Sequence, residues 1–258
     1  MKRTIFFTAA FLSFLGLMES RAQNMQNNRN MEKLKLTEEW DKTFPKSDKV
    51  DHSKVTFVNR FGITLAADLY VPKIAVADKF PAIAVSGPFG AVKEQSSGLY
   101  AQTLAERGFL TIAFDPSFTG ESSGQPRSVA SPDINTEDFS AAVDYLATRP
   151  DVDAERIGIL GICGWGGFAI NAAANDTRIK ATVASTMYDI SRANANGYFD
   201  AADNADARYR MRRELNAQRT KDYRTGTYPC TTMNPEPAED APQFMKDYYD
   251  YYKTKRGY

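Results

Sequence analysis

Residues 52–190 alternate short apolar runs with amphipathic stretches. The apolar runs are rich in Ala, Ile and Val, which is typical of strands buried on both faces of a sheet. Between these runs, apolar residues recur at helical spacing. One example is Phe139, Val143 and Leu146, in a helix predicted to begin at Asn135. The alternation predicts an α/β fold built on a doubly wound, mostly parallel sheet. The predicted parallel strands are 80–86, 109–114, 157–160 and 179–185.

A different pattern precedes the parallel strands. Two β-rich runs, 55–58 and 63–71, flank the turn-like tetrad Asn59 to Gly62 and predict an antiparallel hairpin. The segment before them, 23–51, is polar and rich in Asn and Lys, so we expect a loosely packed N-terminal arm. Within it, one short helix is expected around residues 36–41.

After residue 185 the apolar runs cease, and the chain becomes rich in Asn, Asp, Arg and Tyr. The pattern predicts a charged helix at 201–221 and a second helix at 242–253. We interpret 186–258 as a helical cap segment within one domain that spans 52–258. The aromatic residues expected on its inner face are Phe244, Tyr248, Tyr251 and Tyr252.

The N-terminus predicts a signal peptide at residues 1–22. Lys2-Arg3 is followed by the apolar run 5–18 and by a small-x-small cleavage site that ends at Ala22. The apolar run is short for a membrane span, so we expect a periplasmic or secreted protein with no membrane contact after cleavage.

Composition narrows the class of partner. The 258 residues balance 32 Lys and Arg against 32 Asp and Glu, which gives no general attraction to nucleic acid or to an anionic membrane. We therefore expect a small-molecule substrate and no nucleic-acid partner. We expect neither a metal nor a cofactor.

The run from Gly158 to Gly167 is the most specific local signal in the chain. It contains a short buried strand, a turn with one nucleophilic side chain, and the start of a helix. This order is that of a nucleophile elbow with Cys163 at the nucleophile position, and the turn needs neighbours such as Gly161 and Gly164 that lack a Cβ. The helix N-terminus would stabilise a negative charge at the turn. Cys163 is the candidate nucleophile; the alternative is a small buried hydrophobic residue at a strand end.

The chain resembles the α/β-hydrolase superfamily over about residues 50–190. Its cysteine makes it most similar to the dienelactone-hydrolase-like branch. The resemblance implies that Cys163 attacks the carbonyl of an ester, thioester or lactone. One position departs from the family pattern, because Trp165 stands where a small residue is usual. The motifs that carry the resemblance are the hairpin, Gly87-Pro88-Phe89-Gly90, the loop from Asp115 to Gly124, the lead-in Asp151-Val152-Asp153, and Gly161-x-Cys163.

The resemblance also implies an oxyanion hole formed by the backbone N–H groups of Gly164 and Phe89. For Phe89 the alternative is an ordinary strand-to-helix turn. Ser117, Glu121 and Ser122 are pocket candidates, because their loop is expected at the same edge of the sheet. For these three the sequence favours solvated turn residues over residues that line a pocket.

The remaining triad members are not evident in the sequence. In this fold the acid and the histidine follow the nucleophile along the chain. We expect Asp189 to cap a helix or to lie at the surface. His52, the single histidine, precedes the predicted strands and is expected to be a solvated arm residue. We therefore interpret the chain as a C-terminally truncated hydrolase of impaired activity.

Two further hypotheses stay open. The chain could be a non-catalytic α/β-hydrolase-fold protein that serves as a binding protein or a remnant. A disulfide between Cys163 and Cys230 would instead give a disulfide-stabilised binding module. In a truncated sheet the strand at 179–185 would form an exposed edge, through which the chain could associate with itself.

Overall fold

The structure is a computed structural model that describes residues 31–74, 78–229 and 235–257. Six strands form one sheet in the order β1-β2-β4-β3-β5-β6. The predicted strands are confirmed, two of them to the residue. The strands are β1 (Val50–Val58), β2 (Thr64–Pro72), β3 (Phe80–Ser86), β4 (Leu110–Phe114), β5 (Val152–Ile162) and β6 (Ile179–Ser185).

Pairing in the sheet is mixed. Strand β2 is antiparallel to both β1 and β4, whereas β4, β3, β5 and β6 run parallel. The hairpin turn is closed by the Asn59 side chain, whose Oδ1 accepts from the N–H groups of Phe61 and Ile63, each at 3.0 Å. The four parallel strands therefore bring their carboxyl ends to one edge, where α/β folds bind ligands.

Helices connect the parallel strands and continue after the last one. Helix α2 begins at Pro132 and not at the predicted Asn135, because proline suits the first helical position. The helices are α1 (Ser96–Ala105), α2 (Pro132–Ala147), α3 (Gly164–Asn175), α4 (Ile190–Asn196), α5 (Ala205–Thr225) and α6 (Gln243–Lys253), with a 3-10 turn at Tyr198–Asp200.

The core lies on both faces of the sheet, as the apolar runs predict. All five residues of β4 are buried, and Phe114 on that strand packs edge-on against Phe139 of α2 with ring centroids 5.3 Å apart. Because the sheet is buried on both faces, its carboxyl edge is a packed base for the loops that follow the parallel strands. No side chain of α4, α5 or α6 is buried, so the described helices after β6 contribute little to this core.

The expected arm differs from its prediction in two respects. Residues 36–41 form no helix, and the described part of the segment, from residue 31 onward, is docked against the domain rather than loosely packed. Its backbone donates hydrogen bonds to Thr64 and Glu121, and Lys42 is buried beside Asp68 with Nζ 3.0 Å from Oδ2. The segment is held by charged and polar contacts. Packing is predicted from a pattern of apolar residues, and such contacts leave no such pattern in the sequence.

Two expectations fall outside the described residues, namely the signal peptide at 1–22 and the pairing partner Cys230. Across the ranges that the structure describes, no helix is both long and apolar enough to cross a membrane.

Candidate active site

Cys163 occupies a sharp turn between β5 and α3. Its backbone angles are φ 57° and ψ −123°, a sparsely populated conformation for a residue with a Cβ. Neighbouring strands and loops hold it there: its N–H donates to the Ser185 carbonyl at 2.9 Å, and its own carbonyl accepts from Gly166 at 3.0 Å and Tyr188 at 3.3 Å. The strained, half-buried cysteine at the start of a helix has the geometry that the elbow predicts.

Gly161 makes the tight turn possible. A Cβ at this position would lie 2.3 Å from the Trp165 carbonyl oxygen and 2.8 Å from the Cβ of Ala169. The first turn of α3 therefore packs directly on the end of β5, which leaves no room for a side chain two residues before the nucleophile.

The loop after β3 reaches the elbow by a similarly close approach. A Cβ on Gly87, at φ 101°, would lie 2.4 Å from the Ile162 carbonyl oxygen. Two residues on, the Cβ of Phe89 is 3.4 Å from the place where a Cβ of Gly164 would be. Neither the Phe89 nor the Gly164 N–H has a hydrogen-bond acceptor within the described part of the chain. The backbone segments that carry the two donors expected of an oxyanion hole therefore lie next to each other at Cys163.

Trp165, the unusual residue two positions after the nucleophile, is accommodated by its neighbours. Its side chain is buried, and its ring lies 5.7 Å from that of Phe89 and 5.2 Å from that of Phe168, measured between centroids. The indole thus fills the space between α3 and the loop that carries Phe89.

Three tyrosines of the cap segment lie close enough to Cys163 to interact with it electrostatically. Burial raises the pKa of the phenols of Tyr188, Tyr248 and Tyr252, and the nearby negative charges that raise these pKa values further include Cys163. Part of the expected inner face of the cap therefore lies near the site, although Phe244 is exposed. Beside Tyr188 is a pocket of about 550 Å³ that is lined in part by Met187, Tyr188, Arg192, Tyr198 and Phe199.

Asp189 caps a helix, which agrees with the sequence expectation. Its Oδ1 accepts from the N–H of Arg192 at 2.9 Å, in the first turn of α4. The carboxylate is therefore engaged in closing the helix N-terminus.

Ser117 and Ser122 are buried and form internal hydrogen bonds of their loop. Ser117 Oγ donates to Asp138 Oδ1 at 2.7 Å, and Ser122 Oγ donates to the Asp115 carbonyl at 2.7 Å. The expectation that these residues are solvated is wrong, because Ser117 Oγ reaches Asp138 in α2 and Ser122 Oγ also accepts from the Ala66 N–H of β2 at 2.9 Å. In this position they shape the loop and do not project into the pocket beside Tyr188.

Glu121 is likewise not a solvated turn residue. Its Oε2 accepts from Lys93 Nζ at 2.7 Å and from Lys54 Nζ at 2.9 Å, while Oε1 accepts from the Thr37 N–H. Burial alone would raise its pKa, but the hydrogen bonds from the two lysines outweigh it and lower the pKa of Glu121 to about 2.

Three carboxylates, those of Glu94, Asp115 and Glu121, have oxygens within 4.8 Å of one another. The Lys93 ammonium contacts all three, so the positive charge of this cluster is supplied by a side chain. Sequence reasoning missed Lys93 and Glu94. The signal that could have identified them is their position in the sequence, directly after the loop that carries Phe89.

His52 lies within β1 and is not a solvated residue of the arm. Its Nε2 is 2.8 Å from Asp68 Oδ1, and its ring packs against Trp40 and Tyr70. Strand β1 is separated from β5 by three strands, which corresponds to about 19 Å across the sheet. The single histidine therefore cannot take a proton from Cys163.

Comparison with known proteins identifies relatives across the whole domain. The chain matches the family profile described as X-Pro dipeptidyl-peptidase (S15 family) over residues 62–254. It is 58% identical over 252 residues to the uncharacterized protein PA2218 of Pseudomonas aeruginosa. This alignment covers 96% of this chain and 67% of that protein. The crystal structure of PA2218 matches with a TM-score of 0.83 and 62% identity, over 88% of this chain and 70% of the other.

More distant relatives share the fold. The thiohydrolase aneE of Aspergillus aculeatus is 34% identical over 129 residues, which is 50% of this chain and 39% of that protein. The α/β-hydrolase GrgF of Penicillium sp. sh18 matches with a TM-score of 0.62 and 23% identity, over 78% of this chain and 66% of the other. Together with the sheet order, this likeness shows that the fold is that of the α/β-hydrolases.

Proposed function

We propose that this chain, which belongs to the X-Pro dipeptidyl-peptidase (S15) family, cleaves small esters, thioesters or lactones by acyl transfer through Cys163. The observation that carries the proposal is the turn at Cys163, with the Gly164 and Phe89 N–H groups beside it. These parts serve acyl transfer because a nucleophile and two donors converge where a carbonyl carbon and its oxygen would lie.

In the proposed reaction the Cys163 thiolate attacks the carbonyl carbon and forms an S–C bond, while the π electron pair moves onto the oxygen. The Gly164 and Phe89 N–H groups donate to this oxyanion. The intermediate collapses, the bond to the leaving group breaks, and the leaving alkoxide or thiolate takes a proton from water. The hydroxide formed in that step attacks the acyl-cysteine carbonyl and the C–S bond breaks, which releases the acid and restores the Cys163 thiolate.

The placement of His52 limits the rate of this reaction in the 258-residue chain. No histidine of the sequence can reach Cys163, so neither the activation of the thiol nor that of the attacking water is assisted by an imidazole. Since members of a triad act as a unit, we expect turnover several orders of magnitude below that of an enzyme whose cysteine is paired with a histidine. The first half-reaction should still acylate Cys163, because a thiolate is a strong nucleophile without a base.

The test is acylation of the purified protein by p-nitrophenyl acetate and by an acetyl thioester, followed by intact-mass spectrometry. We expect one acetyl group per chain, located on Cys163 by peptide mapping, and none in Cys163→Ala. The thioester is included because a relative, aneE, is named a thiohydrolase. An X-Pro p-nitroanilide serves as the comparison substrate, in view of the family description.

Exogenous imidazole tests whether turnover is limited by the lack of a histidine near Cys163. We expect it to accelerate loss of the acetyl group from Cys163, after the background measured with Cys163→Ala is subtracted. A wild-type chain that is acetylated no faster than Cys163→Ala would contradict the proposal and would favour a non-catalytic binding protein. Ordinary turnover without imidazole would contradict the proposed rate limitation.

A further inference from the structure

Lys93, directly after the Phe89 loop, is a fully buried cation. Its side chain is 0% exposed, and Nζ lies 3.0 Å from Asp115 Oδ2 and 2.7 Å from Glu121 Oε2, with Glu94 as a third partner. All three donors of the ammonium are therefore used. A buried lysine with this many charged acceptors holds its neighbours in a defined geometry, since removal of one partner leaves charge unpaired in the interior.

Asp115 joins two loops at this point. Its Oδ1 accepts from the Lys93 N–H at 2.7 Å, and its Oδ2 accepts from the Glu121 N–H at 2.9 Å. The loop after β3 is thus fastened to the loop after β4 by backbone and side-chain contacts together.

Lys54 of β1 extends the cluster to the edge of the sheet. Its Nζ lies 2.9 Å from Glu121 Oε2, 2.9 Å from Asp41 Oδ2 and 3.5 Å from Glu94 Oε1. The N-terminal segment, β1 and both loops therefore meet around two lysines. No catalytic step uses any of these groups.

The position of Phe89 gives the cluster its significance. At one end of the loop Gly87 is pressed against the end of β5, and at the other end Lys93 is anchored to Asp115. Phe89 lies between the two anchors, two residues from the first and four from the second. Where its N–H points thus depends on both ends of the loop.

We propose that Lys93 is a positioning residue, whose ion pairs with Asp115 and Glu121 hold the Phe89 N–H beside that of Gly164, and that ionisation of Glu94 weakens this hold. The inference rests on the proposed acyl transfer for its catalytic meaning. It adds a residue and a pH dependence that the elbow itself does not contain.

The charges around Glu94 support the second part. Burial, together with the negative charge of Asp115, raises the pKa of Glu94 to about 7, against the opposing effect of Lys93. Lys54 also faces the Glu94 carboxyl. The negative charge of Asp68 raises the pKa of Glu94, and Glu94 in turn helps to raise the pKa of Tyr70. Near neutral pH the carboxyl loses its proton. The new negative charge repels Asp115, and Glu94 then competes with Asp115 and Glu121 for the Lys93 ammonium.

The experiment compares two reactions of the same thiol. Acetylation by p-nitrophenyl acetate passes through an oxyanion, whereas alkylation by iodoacetamide does not, so their rate ratio cancels changes in the thiolate fraction. In the wild type we expect this ratio to fall between pH 6 and 8, and in Glu94→Gln we expect it to stay constant. Both rates are taken from the peptide that contains Cys163, and Cys163→Ala gives the background from Cys230. A wild type in which Cys163 is alkylated but not acetylated identifies a failure of the proposed function itself.

Glu121→Gln tests the Lys93 anchor without burying an unpaired lysine, because Asp115 and Glu94 remain. We expect its ratio to fall about tenfold, less than the roughly 100-fold loss from removing a whole oxyanion donor. Glu106→Gln, exposed at the end of α1, is the matched control and should leave the ratio unchanged. Equal ratios in Glu121→Gln and wild type, or a wild-type ratio that does not vary with pH, would overturn the inference.

Amide hydrogen exchange of residues 87–95 gives a readout that needs no ester. We expect faster exchange there in Glu121→Gln than in wild type, with α3 unchanged. Slow exchange in both proteins would overturn the anchoring role even if Cys163 proved unreactive.

Discussion

At the scale of single residues, the elbow depends on the absence of atoms. The backbone conformation of Gly161 is one that other residues also adopt. Glycine is needed there because the backbone of Trp165 occupies the space that a Cβ would take. Cys163 by contrast carries the conformational strain, which three backbone hydrogen bonds offset. The backbone conformation of Cys163 is thus set by its neighbours and not by its own preferences.

Gly161→Ala should therefore destabilise the protein by about 1–3 kcal/mol, through overpacking at the end of β5. Gly158→Ala, in the same strand, is the control: its Cβ would lie 3.2 Å from the nearest atom, the Ala181 carbonyl oxygen, so we expect a smaller loss. Urea unfolding followed by circular dichroism measures both. Equal losses in the two variants would show that the elbow is less tightly packed than the structure indicates.

At the scale of elements, a buried carboxylate organises the loop after β4. Asp138 of α2 accepts four hydrogen bonds, two from Ser117, one from Asn59 in the hairpin turn and one from Asn135. Burial raises the pKa of Asp138, although these hydrogen bonds act in the opposite direction. The loop, the hairpin and α2 are thereby joined at one side chain.

Asp138→Ala leaves those donors unsatisfied in the interior, and we expect a loss of about 3–5 kcal/mol in the free energy of unfolding. Asp133→Ala, exposed in the first turn of the same helix, should cost no more than about 1 kcal/mol. Thermal unfolding measured in parallel distinguishes the two. If both variants melted together, Asp138 would not be the element that joins the three segments.

At the scale of the whole molecule, the buried charge cluster makes stability depend on pH in two opposing ways. The folded pKa of Glu94 is about 7 against an ordinary 4.5, so its contribution to stability decreases as the pH rises through that window. Glu121, with a pKa of about 2, contributes above 4.5 and loses that contribution as the pH falls towards 2.

Glu94→Gln should therefore flatten the decline in stability between pH 5 and 7, because glutamine has no proton to lose. Denaturant unfolding at several pH values measures this slope, with Glu106→Gln as the exposed control. A slope identical in wild type and Glu94→Gln would assign the pH dependence to other groups.

Strand β6 forms one edge of the described sheet, and Val183 in it is 53% exposed. An exposed apolar edge favours pairing with a second chain, so we predict association that increases with protein concentration. Val183→Lys should shift the sedimentation distribution towards monomer. Tyr223→Lys, which adds the same charge on the exposed face of α5, should not; a wild type that remains monomeric at all concentrations would refute the prediction.

The sequence alone determined the features that depend on local pattern. Apolar runs placed β3 and β6 at their observed bounds, and the glycines around Cys163 predicted the sharp turn between β5 and α3. Both features depend on residues near one another in the chain. Even Asp189 as a helix cap followed from its neighbours.

Only the tertiary structure decided which polar residues are buried. Lys93 meets Glu121 across 28 residues and Asn59 meets Asp138 across 79, distances in sequence at which no periodicity reports a contact. For the same reason Glu121 and His52 were expected in solvent. The energy of burying a charge depends on the partner that the fold supplies, and that partner is specified by topology and not by the adjacent sequence.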